Sequence, residues 1–203
     1  MNSKEGGGIV AGQIAIISAR VLDVAIKKGV EAGVAAAVDY MDAERKKQRK
    51  DRYNRRLHKT RLLLKNYRSL KHHALGAVSS GEKVNERIRE NAVDILEGLD
   101  DEMISDKLYI DSIRRSQQRT RIIIEHIDEM LRYWEIDCQQ SGKEENIRRC
   151  RIIRKSYIED DYTPPDVLAA MEHIEKRTVY KDIGAAMRPL SALIFGIDGI
   201  RQE

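Results

Sequence analysis

Aromatic residues are scarce in this chain: eight Tyr, one Trp and one Phe make up 5% of its 203 residues. Sheet-rich domains lean on aromatic and β-branched residues in alternation, and no alternating run of useful length occurs here. Proline is limited to three residues, so little interrupts a helix. With 34% of residues charged, the profile predicts an all-α protein of long, solvent-exposed helices.

Cysteine is limited to Cys138 and Cys150, whose spacing forms neither a CxxC nor a zinc pattern with histidine. Reduced thiols, buried or idle, are the expectation. The most apolar region, Ile9 to Val38, is interrupted by Arg20, Asp23, Lys27, Lys28 and Glu31. That excludes a membrane span and, with no credible cleavage site, argues against a signal peptide. A cytoplasmic protein without a membrane partner is expected.

Catalytic patterns are also lacking. Gly6-Gly7-Gly8 has no lysine, hydroxyl or preceding strand to make a phosphate loop. His72-His73 has no HExxH context, and His58, His126 and His173 are isolated. Asp100-Asp101-Glu102 lacks the spaced ligands of a calcium loop. The chain reads as a non-enzyme with no metal site and no cofactor.

What is present is charge in blocks. The net charge of +4 and pI near 9.0 are mild, but Glu44 to Lys71 holds thirteen Lys and Arg against two acids. Tyr53, Leu57, Thr60, Leu64, Tyr67, Lys71 and Ala74 follow a 4-3 spacing through this block, predicting one basic helix over 44–75 with an apolar seam. Its cations, Arg52, Arg55 and Arg56 among them, either contact phosphates or form a solvated face or one paired with acids. Glu82 to Asp111 is acidic, ten acids to four bases, and either neutralises the basic helix or faces a partner such as RNA polymerase. Val84, Ile88, Val93, Ile95 and Leu96 predict a short helix before Gly98.

Residues 1–8 read as a disordered tail and 9–142 as a long-helix association region. Gly29, Gly33 and Ala37 recur every four residues in its first helix, allowing close approach of another helix. Either intramolecular packing or a homodimer would use that face. Ile113, Gln117, Thr120, Ile124, Ile127, Leu131, Trp134 and Cys138 predict a periodic helix over 112–139, with Trp134 in the core. It is expected to pack antiparallel to the basic helix as a coiled-coil-like hairpin or stalk, or to pair with a second copy.

Residues 143–203 form the predicted C-terminal domain of three helices. Ile147, Cys150, Ile153, Tyr157 and Ile158 give the first an apolar face, with Arg148, Arg149 and Lys155 placed to flank a phosphate backbone. Thr163 is expected to cap the second, with Pro164 at its first position. His173-Ile174-Glu175 reads as a tight turn, and the third helix begins at Lys176. Val179, Ile183 and Ala186 or Met187 face inward, while Lys176, Arg177, Thr178, Tyr180 and Lys181 face solvent. A short helix, a tight turn and a basic, hydroxyl-bearing helix start match a helix-turn-helix, whose second helix reads base edges through its N-terminal residues. Pro189 predicts a break near Ala185 to Arg188, with Pro189 to Ile197 as a separate apolar turn or helix.

The segment Lys176-Arg177-Thr178-Val179-Tyr180-Lys181-Asp182-Ile183, followed by Leu190-Ser191-Ala192-Leu193-Ile194-Phe195-Gly196, resembles the C-terminal end of small Firmicute and phage-type transcriptional regulators. Their last domain is similar to region 4 of sigma-70 factors, and phage late-operon activators of the ArpU and RinA type are a looser comparison. The resemblance implies double-stranded DNA binding by the second helix, with Lys176, Arg177, Thr178, Tyr180 and Lys181 at the contacting positions. It departs from the pattern at Glu175, where a Ser or Asp cap is usual, at Pro164-Pro165, at Gly184 and at Pro189. The expected function is a cytoplasmic, nucleoid-associated transcription regulator. A sigma-like polymerase-associated factor and a non-catalytic helical adaptor are the alternatives.

Overall fold

The structure, a computed structural model, describes residues 6–76, 92–99 and 105–196, with side chains omitted for residues 6–20 and 76. Every regular element among the described residues is helical: α1 (Gly6–Gly76), α2 (Ala92–Gly98), α3 (Asp106–Arg114), α4 (Gln117–Gln140), α5 (Glu144–Ile153) with a π-helical extension (Arg154–Ile158), α6 (Pro165–Met171) and α7 (Lys176–Phe195). The all-α expectation stands. The chain divides into two compact units, Met1–Lys50 and Asp51–Glu203, and α1 contributes to both. The sites of Val84 and Ile88, the Asp100-Asp101-Glu102 cluster and Ile197 lie outside the described residues.

In the first unit, the described part of α1 takes in Gly6 to Gly8, within the stretch read as a tail. Of its side chains from Val21 to Lys50, all are exposed apart from a half-buried Glu44. Large apolar groups are among them, including Leu22, Ile26, Val30, Val34, Val38 and Met41.

The second unit is built on seams. Thr60, Leu64, Tyr67 and Ala74 of α1 are buried, as are Thr120, Ile124, Ile127, Leu131, Trp134 and Cys138 of α4. These are members of the two predicted 4-3 patterns, most of them on successive turns. The Tyr67 hydroxyl donates to Asp128, and His73 Nδ1 meets Thr120 Oγ1 at 3.2 Å. Contacts that advance along α1 and retreat along α4 make this pair antiparallel. Leu63, Leu96, Tyr109, Ile113, Ile153, Met187, Leu190 and Phe195 join the same apolar cluster, so α2, α3, α5 and α7 close one core around α1 and α4.

The helix expected over Ser112 to Gln139 is two helices. Arg115 and Ser116 separate α3 from α4, and the Ser116 hydroxyl accepts from Arg119 N at 3.2 Å as an N-cap. Serine prefers that position to a helix interior. Periodicity ran unbroken across the cap because both helices turn apolar faces to one core. Thr120 Oγ1 ties them, donating to Ile113 O at 2.9 Å.

Two smaller expectations also change. Helix α6 starts one residue late, with Pro164 as its N-cap (φ −63°, ψ 152°) and Pro165 first inside. A residue before proline is driven out of the α region, so Pro165 keeps Pro164 extended. Pro189 does not break α7, which runs unbroken through it to Phe195. Interior proline costs roughly 3 kcal/mol. Leu190, Ile194 and Phe195 beyond it are buried, each worth roughly 1.5–3 kcal/mol, so packing outweighs the lost backbone bond.

Candidate nucleic-acid interface

Helix α6 ends in a turn whose geometry sets the start of α7. His173 is left-handed at φ 53°. Its N–H donates to Ala170 O at 3.4 Å, and Ile174 N–H donates to Ala169 O at 3.0 Å. These paired bonds form a Schellman motif, closing the helix end with its last carbonyls satisfied. Ile174 packs against Leu168, Ala169 and Val179, as such a motif favours. Glu175 is then the N-cap of α7 without a side-chain bond to it, so the N–H groups of the first turn receive no carboxylate from their own cap.

The faces of α7 divide by charge. Val179, Ala186, Met187, Leu190 and Ile194 are buried. Lys176, Arg177, Tyr180, Lys181 and Arg188 are exposed, and Thr178 is half-buried. The helix has one acid, Asp182, which is 3% exposed. Lys176 Nζ lies 2.9 Å from Asp166 Oδ2 of α6, both side chains being exposed, and that carboxylate holds the ammonium above its ordinary pKa. Among the described residues no acid pairs with Arg177, Lys181 or Arg188.

Helix α5 commits its arginines to carboxylates. Arg148 Nε donates to Asp182 Oδ2 at 2.8 Å, and Arg149 Nε donates to Asp182 Oδ1 at 3.2 Å. Each Asp182 oxygen thus receives one guanidinium, which also raises the Arg148 pKa. Arg149 bonds Glu145 as well. Arg151 binds Glu172 at 2.6 Å and Glu144 at 2.8 Å. In the π-helical extension, Arg154 meets Glu135 of α4 at 3.1 Å and Lys155 meets Glu159 at 3.7 Å. The residues predicted to flank phosphates, Arg148, Arg149 and Lys155, therefore all have carboxylate partners.

The basic part of α1 in the second unit is also engaged. Arg56 binds Glu97 of α2 at 2.7 Å, His58 meets Asp106 of α3 at 2.8 Å, and Lys59 lies 3.8 Å from the Tyr109 ring centre. Of the two fates left open for the acidic segment, neutralising the basic helix is realised at Arg56. Arg52 and Arg55 have partners too. Arg68 turns its guanidinium to the carbonyls of Lys155, Ser156 and Glu159, where the π-helical extension ends.

Cys138 and Cys150 are buried and free. Burial pushes both thiol pKa values up. Among the described residues no group of three His, Cys, Asp or Glu side chains is arranged to hold a metal ion. Nor is any described helix long and apolar enough to cross a membrane.

No family model, curated protein or solved structure matches this chain. Sequence reasoning singled out the start of α7 but passed over Asp182, Arg188 and Arg61. Asp182 carried a legible signal: an acid three residues after Val179 and four before Ala186 falls on the inward face. Its partners, thirty-odd residues earlier, did not announce themselves.

Proposed function

We propose that this chain is a sequence-specific, double-stranded-DNA-binding transcription regulator of bacterial or prophage type, with α6 and α7 as its helix-turn-helix. One observation carries the reading: every exposed ionic group of α7 is a cation, while its one acid is withdrawn and clamped. In this reading the first turn of α7 enters the major groove. Arg177 bonds a guanine edge in two places, Lys176 and Lys181 hold phosphates, and Thr178 and Tyr180 add hydroxyl contacts. The protein acts in the cytoplasm on the nucleoid, without catalysis, cofactor or metal.

The exposed apolar side chains of α1 between Val21 and Met41 favour self-association as the second property. A helix carrying Gly29, Gly33 and several valines has low intrinsic propensity, so packing must supply its stability. A second copy offers the same charge-poor face by two-fold symmetry. The hairpin of α1 with α4 would then support paired DNA-reading domains. RNA polymerase is the other partner this reading admits, as in a sigma-like factor.

Selection of bound sequences from random duplex DNA by the full chain tests the proposal. The expected result is an enriched motif, bound more weakly as salt rises, with two half-sites if the chain dimerises. No enrichment together with salt-insensitive binding would leave a helical adaptor. Enrichment only when polymerase is added would identify the sigma-like alternative.

A further inference from the structure

Arg177, Lys181, Gly184 and Arg188 advance along α7 by four, three and four residues, so they share one face. Gly184 leaves a bare stretch in the middle of that row, and a side chain from another helix covers it. Arg61 of α1 places Nη2 3.8 Å from where a Cβ on Gly184 would stand. Arg61 is exposed, and among the described residues it has no acidic partner. The row is therefore Arg177, Lys181, Arg61, Arg188: four exposed cations on one line, one of them donated from elsewhere in the chain.

Length decides what the line can touch. From Arg177 to Gly184 the helix rises about 10 Å, and from Arg177 to Arg188 about 16 Å. A major groove is roughly 12 Å wide. With Arg177 against a base edge, the Gly184 level reaches the groove wall and the Arg188 level lies past it. Resting on the DNA-binding reading above, we propose that Arg61 and Arg188 form a phosphate-backbone clamp that continues the α7 contact surface beyond the groove. Arg61 thus belongs to the interface although it sits on α1, and its contribution is to affinity and not to sequence choice.

The test uses the full-length chain and two unrelated duplexes, measured over a range of salt. R61Q should weaken binding equally to both duplexes and reduce the slope of log affinity against log salt by about 1. R188Q should do the same, and R61K should restore the slope. Because Arg188 is exposed at the far end of the line, R188Q keeps the test open if R61Q lowers the melting temperature. Unchanged slopes in both glutamine variants, with normal binding by the parent chain, would overturn the clamp and leave the helix-turn-helix reading standing. Loss of affinity for one duplex only would overturn it too, by making the residue a base reader. Absence of binding by the parent chain to either duplex at low salt would overturn both readings.

Discussion

Helices α5 and α7 are both rich in cations and pack against each other, yet they use their charge in opposite ways. Arg148, Arg149, Arg151 and Arg154, from α5 and its extension, reach carboxylates on α4, α7 and the end of α6, so this cationic stretch ties three neighbours together. Helix α7 turns Arg177, Lys181 and Arg188 outward. The two would be hard to rank by counting charges. What separates them is where the acids went: Asp182 and Glu172 lie in the interface, their side chains 4% and 8% exposed, on the side facing α5. A helix shows an unbroken basic face only when the fold draws the neighbouring acids away from it.

The strongest way to break this contrast is Asp182→Ala. It leaves Arg148 and Arg149, 20% and 24% exposed, without their shared carboxylate. Removing one member of a buried pair costs roughly 3–5 kcal/mol, and this partly exposed site should fall at about 3 kcal/mol in urea unfolding. A change under about 0.5 kcal/mol would make the α5 network no more than surface pairing. Arg177→Ala should do the reverse: unchanged unfolding, roughly 1–3 kcal/mol of lost DNA affinity, and relaxed preference at one base position. An unaltered isotherm and motif would remove α7 from the contact surface.

Alkaline pH sharpens the contrast from the α5 side. The Cys138 and Cys150 pKa values are raised above their unfolded value of 9.0, and burial with the Asp128 bond raises Tyr67 above 10.0. The folded state therefore holds protons that the unfolded chain releases. The stability tied to the thiols is intact below about pH 9 and falls above it, by up to about 1.4 kcal/mol per pH unit for each thiol. Melting temperatures across this range should drop, and C138A/C150A should flatten the decline until Tyr67 takes over. A parallel decline in both proteins would contradict the thiol assignment. The smallest effect expected is from Asp166→Asn. Freed from its carboxylate, Lys176 should steepen the salt dependence of DNA binding slightly and leave stability unchanged; an unaltered slope would place Lys176 outside the interface.

Local pattern made much of this architecture legible. Leu64, Tyr67, Ile124, Ile127 and Trp134 declare their burial by spacing alone, because a helix facing a core must repeat its apolar residues at its own period. The same signal misled at Ser116, since two helices that share a core can keep one period across a break. Pro189 misled for a different reason: an isolated penalty was weighed without the packing of Leu190, Ile194 and Phe195. The start of α7 was readable as basic and outward. That Arg148 and Arg149 are committed, and that Arg61 reaches Gly184 of α7, depends on contacts between residues remote in the chain. Charge alone encodes no partner.

The π-helical turn at Arg154–Ile158 holds more chain than an ordinary helical turn needs, and Arg68 grips its trailing carbonyls. Such a turn acts as a register device. Deleting one residue there would tighten it towards ordinary helix and shift by about 100° the point at which Glu159 leaves the helix for the loop to α6. Where the chain departs for the loop to α6 thus depends on how much backbone is looped into five residues.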